Sequence, residues 1–165
     1  MVDALIFDIE TTGLSPLRDK VTCICFADTK AKTSLCFSGD FEGKVIQSFV
    51  DYVNKNFYDK LVTYNGWSFD IPFLRVRAMA CGVTLPSIFW DDKKICDPYN
   101  ILVRSKTGKQ SEFGELFGKS TCGTGLDCLG FYSDGEFAKI EEHCKSDIVV
   151  LEEIFNRMVK AGYKG

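Results

Sequence analysis

Asp8 and Glu10 stand two residues apart at the end of the apolar run 4–7. On a strand, that spacing puts both carboxylates on one face, about 7 Å apart along the chain. Two like charges at the end of a buried strand repel each other and lose hydration, and a cation between them removes both penalties. Carboxylate oxygens are hard donors, which selects Mg2+ or Mn2+. The alternative is a plain strand-to-loop junction, where acids are common.

Two further stretches carry acids in chemically useful company. Residues 64–74 read Tyr-Asn-Gly-Trp-Ser-Phe-Asp-Ile-Pro-Phe-Leu. Asn65-Gly66 turns the chain off a strand, and Ser68 is a candidate helix cap. Asp70 then falls at a helix N-terminus, where the macrodipole favours negative charge. A first-turn acid of this kind is a common structural feature. Asn65 and Trp67 in the same turn add a group for phosphate or sugar and an aromatic face for a base. Residues 142–148 read Glu-His-Cys-Lys-Ser-Asp-Ile. His143, the only histidine, lies four residues before Asp147, so the two share one face of a helix. They read as a surface pair; a pair at this spacing could also bind zinc, but no His-Glu-x-x-His motif and no further histidine is present.

The elements that must position these residues follow from the hydrophobic pattern. Strands are expected over 2–8, 20–28, 33–37, 61–64 and 94–96, the first three as an antiparallel meander. Helices are expected over 41–56, capped by Asp40 or Ser38, and over 69–80, stopped by Gly82. A further helix over 99–103 follows an Asp97-Pro98 cap. Residues 104–125 carry five glycines and several lysines without a period, and read as a long mobile loop with one helical turn near 113–117. Helices over 126–131 and 137–159 complete the chain, the latter with apolar residues from Phe137 to Met158 at spacings of three and four. The fold class is α/β, with a central mixed five-stranded sheet flanked by helices. Residues 1–165 read as a single domain.

Composition narrows the function classes. The chain has 165 residues, of which 45% are hydrophobic, enough for one core. A net charge of −3 excludes a generally basic nucleic-acid coat, so any nucleic-acid contact is local or metal-mediated. No apolar run has the length of a membrane span and no start resembles a signal peptide, which predicts an intracellular, cytoplasmic protein without a membrane partner. None of the eight cysteines forms a Cys-x-x-Cys pair, and Cys23 and Cys25 are expected on opposite faces of a strand. The cysteines read as small, reduced core residues rather than a disulfide framework.

Taken in order, Phe-Asp-Ile-Glu-Thr-Thr-Gly-Leu from Phe7, Asn-Gly-x-x-Phe-Asp from Asn65 and His-x-x-x-Asp from His143 resemble the three motifs of the DEDD (DnaQ-like) superfamily of 3′–5′ exonucleases. The resemblance spans residues 5–155 and implies a ribonuclease-H-like fold. The second stretch is similar to the tyrosine branch related to family B DNA polymerase proofreading domains. The spacing of the third motif is that of the same branch, with His143 in the tyrosine's place. This departure concerns the base and leaves the metal ligands unchanged.

The resemblance implies two Mg2+ or Mn2+ ions held by Asp8, Glu10, Asp70 and Asp147, with His143 orienting or deprotonating the attacking water. Thr11, Thr12 and Leu14 would meet the terminal nucleotide, alongside Asn65 and Trp67. Arg104, Lys106 and Lys109 would bind strand phosphates, or else form a solvated basic loop. The implied activity is hydrolysis from the 3′ end of single-stranded DNA, releasing nucleoside 5′-monophosphates. An exoribonuclease and a catalytically weak nucleic-acid-binding module of the same fold are the alternatives.

Overall fold

The computed structural model describes residues 2–104 and 108–165. Strand β1 (Ala4–Thr11) lies at the centre of a five-stranded sheet, where both its faces are covered. Its near-continuous burial follows from that position. It pairs antiparallel with β2 (Val21–Asp28), which pairs antiparallel with β3 (Thr33–Ser38). On its other side it pairs parallel with β4 (Lys60–Val62), and β4 pairs parallel with β5 (Ile95–Cys96). The sheet order is β3-β2-β1-β4-β5, the mixed sheet with an antiparallel first half that the pattern predicts.

The two-residue alternation of β1 divides the interior in two. Leu5, Phe7 and Ile9 face α1 (Glu42–Val53) and α2 (Asp70–Cys81), in a cluster that includes Phe26, Phe49 and Phe89. Ala4 and Ile6 face the long helix α5 (Phe137–Lys160), against Ile140, Cys144, Ile148, Leu151 and Phe155. The chain between residues 109 and 134 forms α3 (Gln110–Phe117) and α4 (Gly125–Ser133), both packed on α5. The stretch 104–125, expected as a loop with one helical turn, therefore carries the two-turn helix α3, and α4 stands where a helix over 126–131 is expected. Glycines made this stretch look irregular, yet Gly114 sits inside α3, where a Cβ would come within 2.9 Å of the Lys119 carbonyl oxygen and 3.3 Å of Val150 Cγ2 on α5. Close helix approach, invisible to a periodicity argument, is what this glycine permits.

Other expectations shift locally. Phe41, expected in the apolar face of α1, is its exposed N-terminal flanking residue, and neither Asp40 nor Ser38 caps the helix. Glu42 sits in its first turn instead, accepting from Val21 N–H at 2.7 Å and from Arg77 Nε and Nη2 at 2.9 and 2.7 Å. Ser68 does not cap α2, whose flanking residue is Phe69. Gly82 ends α2 in the left-handed conformation as expected. Residues 99–103 form a wide turn of π type rather than an α-helix. Cys23 and Cys25 share a face, as residues two apart on a strand must, with their sulfurs 3.7 Å apart. Cys25 and Cys36 are disulfide-bonded, which corrects the all-reduced reading, while the other six cysteines are free. The β2–β3 register places this pair directly opposite each other, and cross-strand register cannot be read from sequence spacing.

One buried acid ties the turn after β4 to the turn after β5. Asp97, 2% exposed, accepts from the backbone N–H groups of Asn65, Trp67 and Tyr99 at 2.9, 3.2 and 3.0 Å, and from Asn100 Nδ2 at 2.7 Å. Asn65 is held in the left-handed region at φ 56°, and a Cβ on the following Gly66 would strike the Thr63 side chain at 1.9 Å. The Asn-Gly step is thus required both by conformation and by space. Replacing Asp97 with alanine strands several buried donors, each of which costs on the order of 1–3 kcal/mol. Asp97→Ala is expected to destabilise the protein by about 3 kcal/mol, with a smaller loss for Asp97→Asn. Urea unfolding of the variants checks this.

Candidate active site

The site forms where β1 runs out of core. Asp8 and Glu10 continue the face of Ala4 and Ile6, so both carboxylates point toward α5. The β1–β2 register shifts between Glu10 and Thr11, a bulge that ends the regular ladder beside the acids. Asp70 enters from the first turn of α2, and its Oδ1 accepts from Ile9 N–H at 3.3 Å. From α5, His143 and Asp147 face β1, and His143 Nε2 lies 3.4 Å from Glu10 Oε1 and 3.5 Å from Asp147 Oδ2. His143 is 6% exposed, so the surface-pair reading does not hold. The helix approaches β1 closely enough for Cys144 Sγ to lie 3.5 Å from Asp8 Oδ2.

The carboxylates feel each other. Burial pushes Asp8 well above the usual range, and the charges of Asp70, Glu10 and Asp147 push it further. Burial raises Glu10 to about 7, against the opposing attraction of His143. Asp70 is likewise raised to about 7 by burial, although the Ile9 N–H and other hydrogen bonds favour its ionised form. Asp147 is raised by burial, with His143 again opposing. The oxygen donors of these acids are of the type a hard divalent cation takes.

The imidazole is oriented from behind. His143 Nδ1 is hydrogen-bonded to the Cys122 carbonyl oxygen. A carbonyl only accepts, so Nδ1 carries the proton, and in the neutral ring the Nε2 lone pair then faces two carboxylates. That arrangement is favourable only with a proton, a water or a cation between them. Ser146 Oγ accepts from Cys122 N–H at 2.9 Å, which fixes the segment to α5.

The expected substrate-contacting residues fall in different situations. Thr11 and Thr12 spend their hydroxyls on the loop itself: Thr11 Oγ1 donates to the Gly13 carbonyl at 2.6 Å, and Thr12 Oγ1 accepts from Lys20 N–H at 2.9 Å. Leu14 is 84% exposed. Trp67 is half-buried against the α1–α2 core, and Asn65 is held by Asp97. Arg104 is exposed, with Nε donating to the Asn100 carbonyl, and Lys109 leads into α3. Lys106 lies outside the described residues. Gly108 and Gln110 are tied near the acids: Tyr64 Oη donates to the Gly108 carbonyl and Gln110 Nε2 donates to the Asp147 carbonyl, each at 2.6 Å. Asp97, Gln110, Cys122, Cys128 and Cys144 escaped the sequence reading as members of this neighbourhood. Only Cys144 carried a signal, being next to His143 in the third motif.

A family model of the RNase_H superfamily matches residues 5–115, and the chain belongs to that superfamily. The match contains Asp8, Glu10 and Asp70, while His143 and Asp147 lie beyond it. Among solved structures, the family B DNA polymerase from the hyperthermophilic archaeon Pyrobaculum calidifontis superposes on 96% of this chain with a TM-score of 0.83 at 22% identity. The chain spans 25% of that polymerase's length. No curated protein matches the sequence. Fold class and sheet topology agree with the ribonuclease-H-like expectation. Among the described residues, no helix is long and apolar enough to cross a membrane.

The raised carboxylates predict an inverted pH response in metal-free protein. An acid whose folded pKa exceeds its unfolded value holds its proton in the native state after the unfolded chain has released it. Between the ordinary carboxylate range and about 7, the value reached by Glu10 and Asp70, the native state therefore binds more protons, and their contribution to stability falls as pH rises. In chelator, Asp70→Asn is expected to raise Tm relative to the parent at pH 7.5, with the gain shrinking toward pH 4.5. Calorimetry across that range, with and without Mn2+, checks it.

Proposed function

We propose that this protein is a metal-dependent 3′–5′ exonuclease acting on single-stranded DNA and releasing nucleoside 5′-monophosphates. The observation that carries this reading is the convergence of Asp8, Glu10, Asp70 and Asp147 at the end of β1, each held above the usual carboxylate range by burial. Direction and strand type rest on the resemblance of the three motifs to 3′–5′ exonucleases. A pair of Mg2+ or Mn2+ ions held by these acids would neutralise them and stabilise the charge developing on the entering and leaving oxygens of a phosphodiester.

The chain's own residues supply the rest. Asp8, which feels the charges of Glu10, Asp70 and Asp147, would hold metal together with them. His143 takes the proton of the attacking water on Nε2, with Nδ1 held by the Cys122 carbonyl. Leu14, projecting from the loop after β1, packs on the terminal nucleotide. The basic residues near α3 meet phosphates of the strand.

End-labelled single-stranded DNA and RNA, incubated with the protein and Mg2+ or Mn2+, test this reading. The expected product is a ladder of mononucleotides lost from the 3′ end of DNA. RNA-selective loss would assign the exoribonuclease alternative, and binding without cleavage would assign the binding module. Asp8→Ala is expected to abolish cleavage while the circular dichroism spectrum is kept. His143→Ala is expected to lower kcat by roughly 10²–10⁴-fold, the range for loss of a general base. Single-turnover rates at saturating Mn2+ measure that loss.

A further inference from the structure

Glu10 has a thiol and an imidazole among its close neighbours as well as carboxylates. Cys128, from the first half of α4, is 1% exposed, and its thiol lies against Glu10. The ligand atoms of Glu10, Cys128 and His143 all lie within 4.8 Å of one another. We propose that these three residues, with Asp147 at the rim, form a site for a borderline divalent cation, Zn2+ foremost. An all-oxygen set selects Mg2+ or Mn2+, whereas thiolate and imidazole favour Zn2+ and Co2+.

Geometry and support both fit. In a tetrahedral site with metal–nitrogen and metal–oxygen bonds of about 2.1 Å, adjacent ligand atoms stand about 3.4 Å apart. His143 Nε2 stands 3.4 Å from Glu10 Oε1 and 3.5 Å from Asp147 Oδ2. The hydrogen bond from Nδ1 to the Cys122 carbonyl is the kind that ligating histidines make with their second nitrogen. The chain between Cys122 and Cys128 is tied down at both ends, by Ser146 and by the Thr124–Asp127 hydrogen bonds that open α4. Cys128 loses its proton to solvent when the sulfur–metal bond forms, so binding releases acid. Occupation removes Glu10 and His143 from the proposed hydrolysis, which makes Zn2+ an inhibitor. That consequence rests on the nuclease reading, but the site itself does not.

Titration of the protein with Co2+ tests the site without any nuclease assay. A single equivalent is expected to produce a thiolate-to-Co2+ charge-transfer band, removed stoichiometrically by Zn2+. The band is expected to be absent in Cys128→Ser and retained in Cys144→Ser, whose sulfur sits instead against Asp8. His143→Gln is expected to weaken Zn2+ binding, measured by competition with a chromophoric chelator, by about tenfold or more. Absence of the band in the parent protein overturns the proposal, as does a band that survives Cys128→Ser or disappears with Cys144→Ser. A parent protein that degrades DNA with Mn2+ yet gives no band defeats the zinc site alone. One that gives the band yet cleaves nothing defeats the nuclease reading alone.

Discussion

Burial of the carboxylates of Asp8, Glu10, Asp70 and Asp147 at one end of β1, with the repulsion of the other three added at Asp8, is the constraint around which this molecule is arranged. Left to itself, such a cluster would spread apart into water, where each charge is better solvated. It stays together because each acid is attached to an element whose position is set by something else. β1 is held on both edges by ladders, α2 by its apolar face on one side of the sheet, and α5 by its long apolar stripe on the other. The packing energy of two cores holds in place a group of charges that opposes it. A cation that enters displaces the protons these acids retain and takes over the neutralisation of their charge.

The two sides of the sheet do different work. The α1–α2 side is rich in phenylalanine, with Phe7, Phe49 and Phe89 ring centroids 5.8 Å apart pairwise, and delivers Asp70 at a helix start. The α5 side uses small residues, Ala4, Cys23, Cys25 and Ala27, against the helix. Small side chains let α5 approach β1, and that approach puts His143 and Asp147 within reach of Glu10. Asp97 acts at one remove: its hydrogen bonds hold the Asn65–Trp67 turn from which α2 departs. The position of Asp70 depends on an acid that never enters the site.

Histidine in place of the tyrosine that the resembling branch carries changes more than the basicity of one group. A phenol presents oxygen to the site, whereas His143 presents nitrogen, and its other ring nitrogen binds the Cys122 carbonyl. That bond draws the chain before α4 over the site, and Cys128 comes with it against Glu10. Glu10 therefore has a thiol and an imidazole for neighbours in Cys128 and His143, while Asp8 has the thiol of Cys144 beside it.

Much of this was legible in one dimension. The two-residue spacing of Asp8 and Glu10 determined that they share a face, because strand geometry allows nothing else. The four-residue spacing of His143 and Asp147 did the same on a helix, and the apolar stripe of α5 told which face is inward. Gly82 and Asn65-Gly66 marked real chain reversals because left-handed conformations restrict residue choice. What escaped depends on register, on approach distance or on partners far apart in sequence. The Cys25–Cys36 bond follows from how β2 and β3 align, and α3 lies against α5 with Gly114 at the contact with Val150. The burial of His143, the clamp at Asp97 and the thiol of Cys128 arise only when remote segments meet. Local spacing determines which side chains face together along one element; only the packed chain decides what they face.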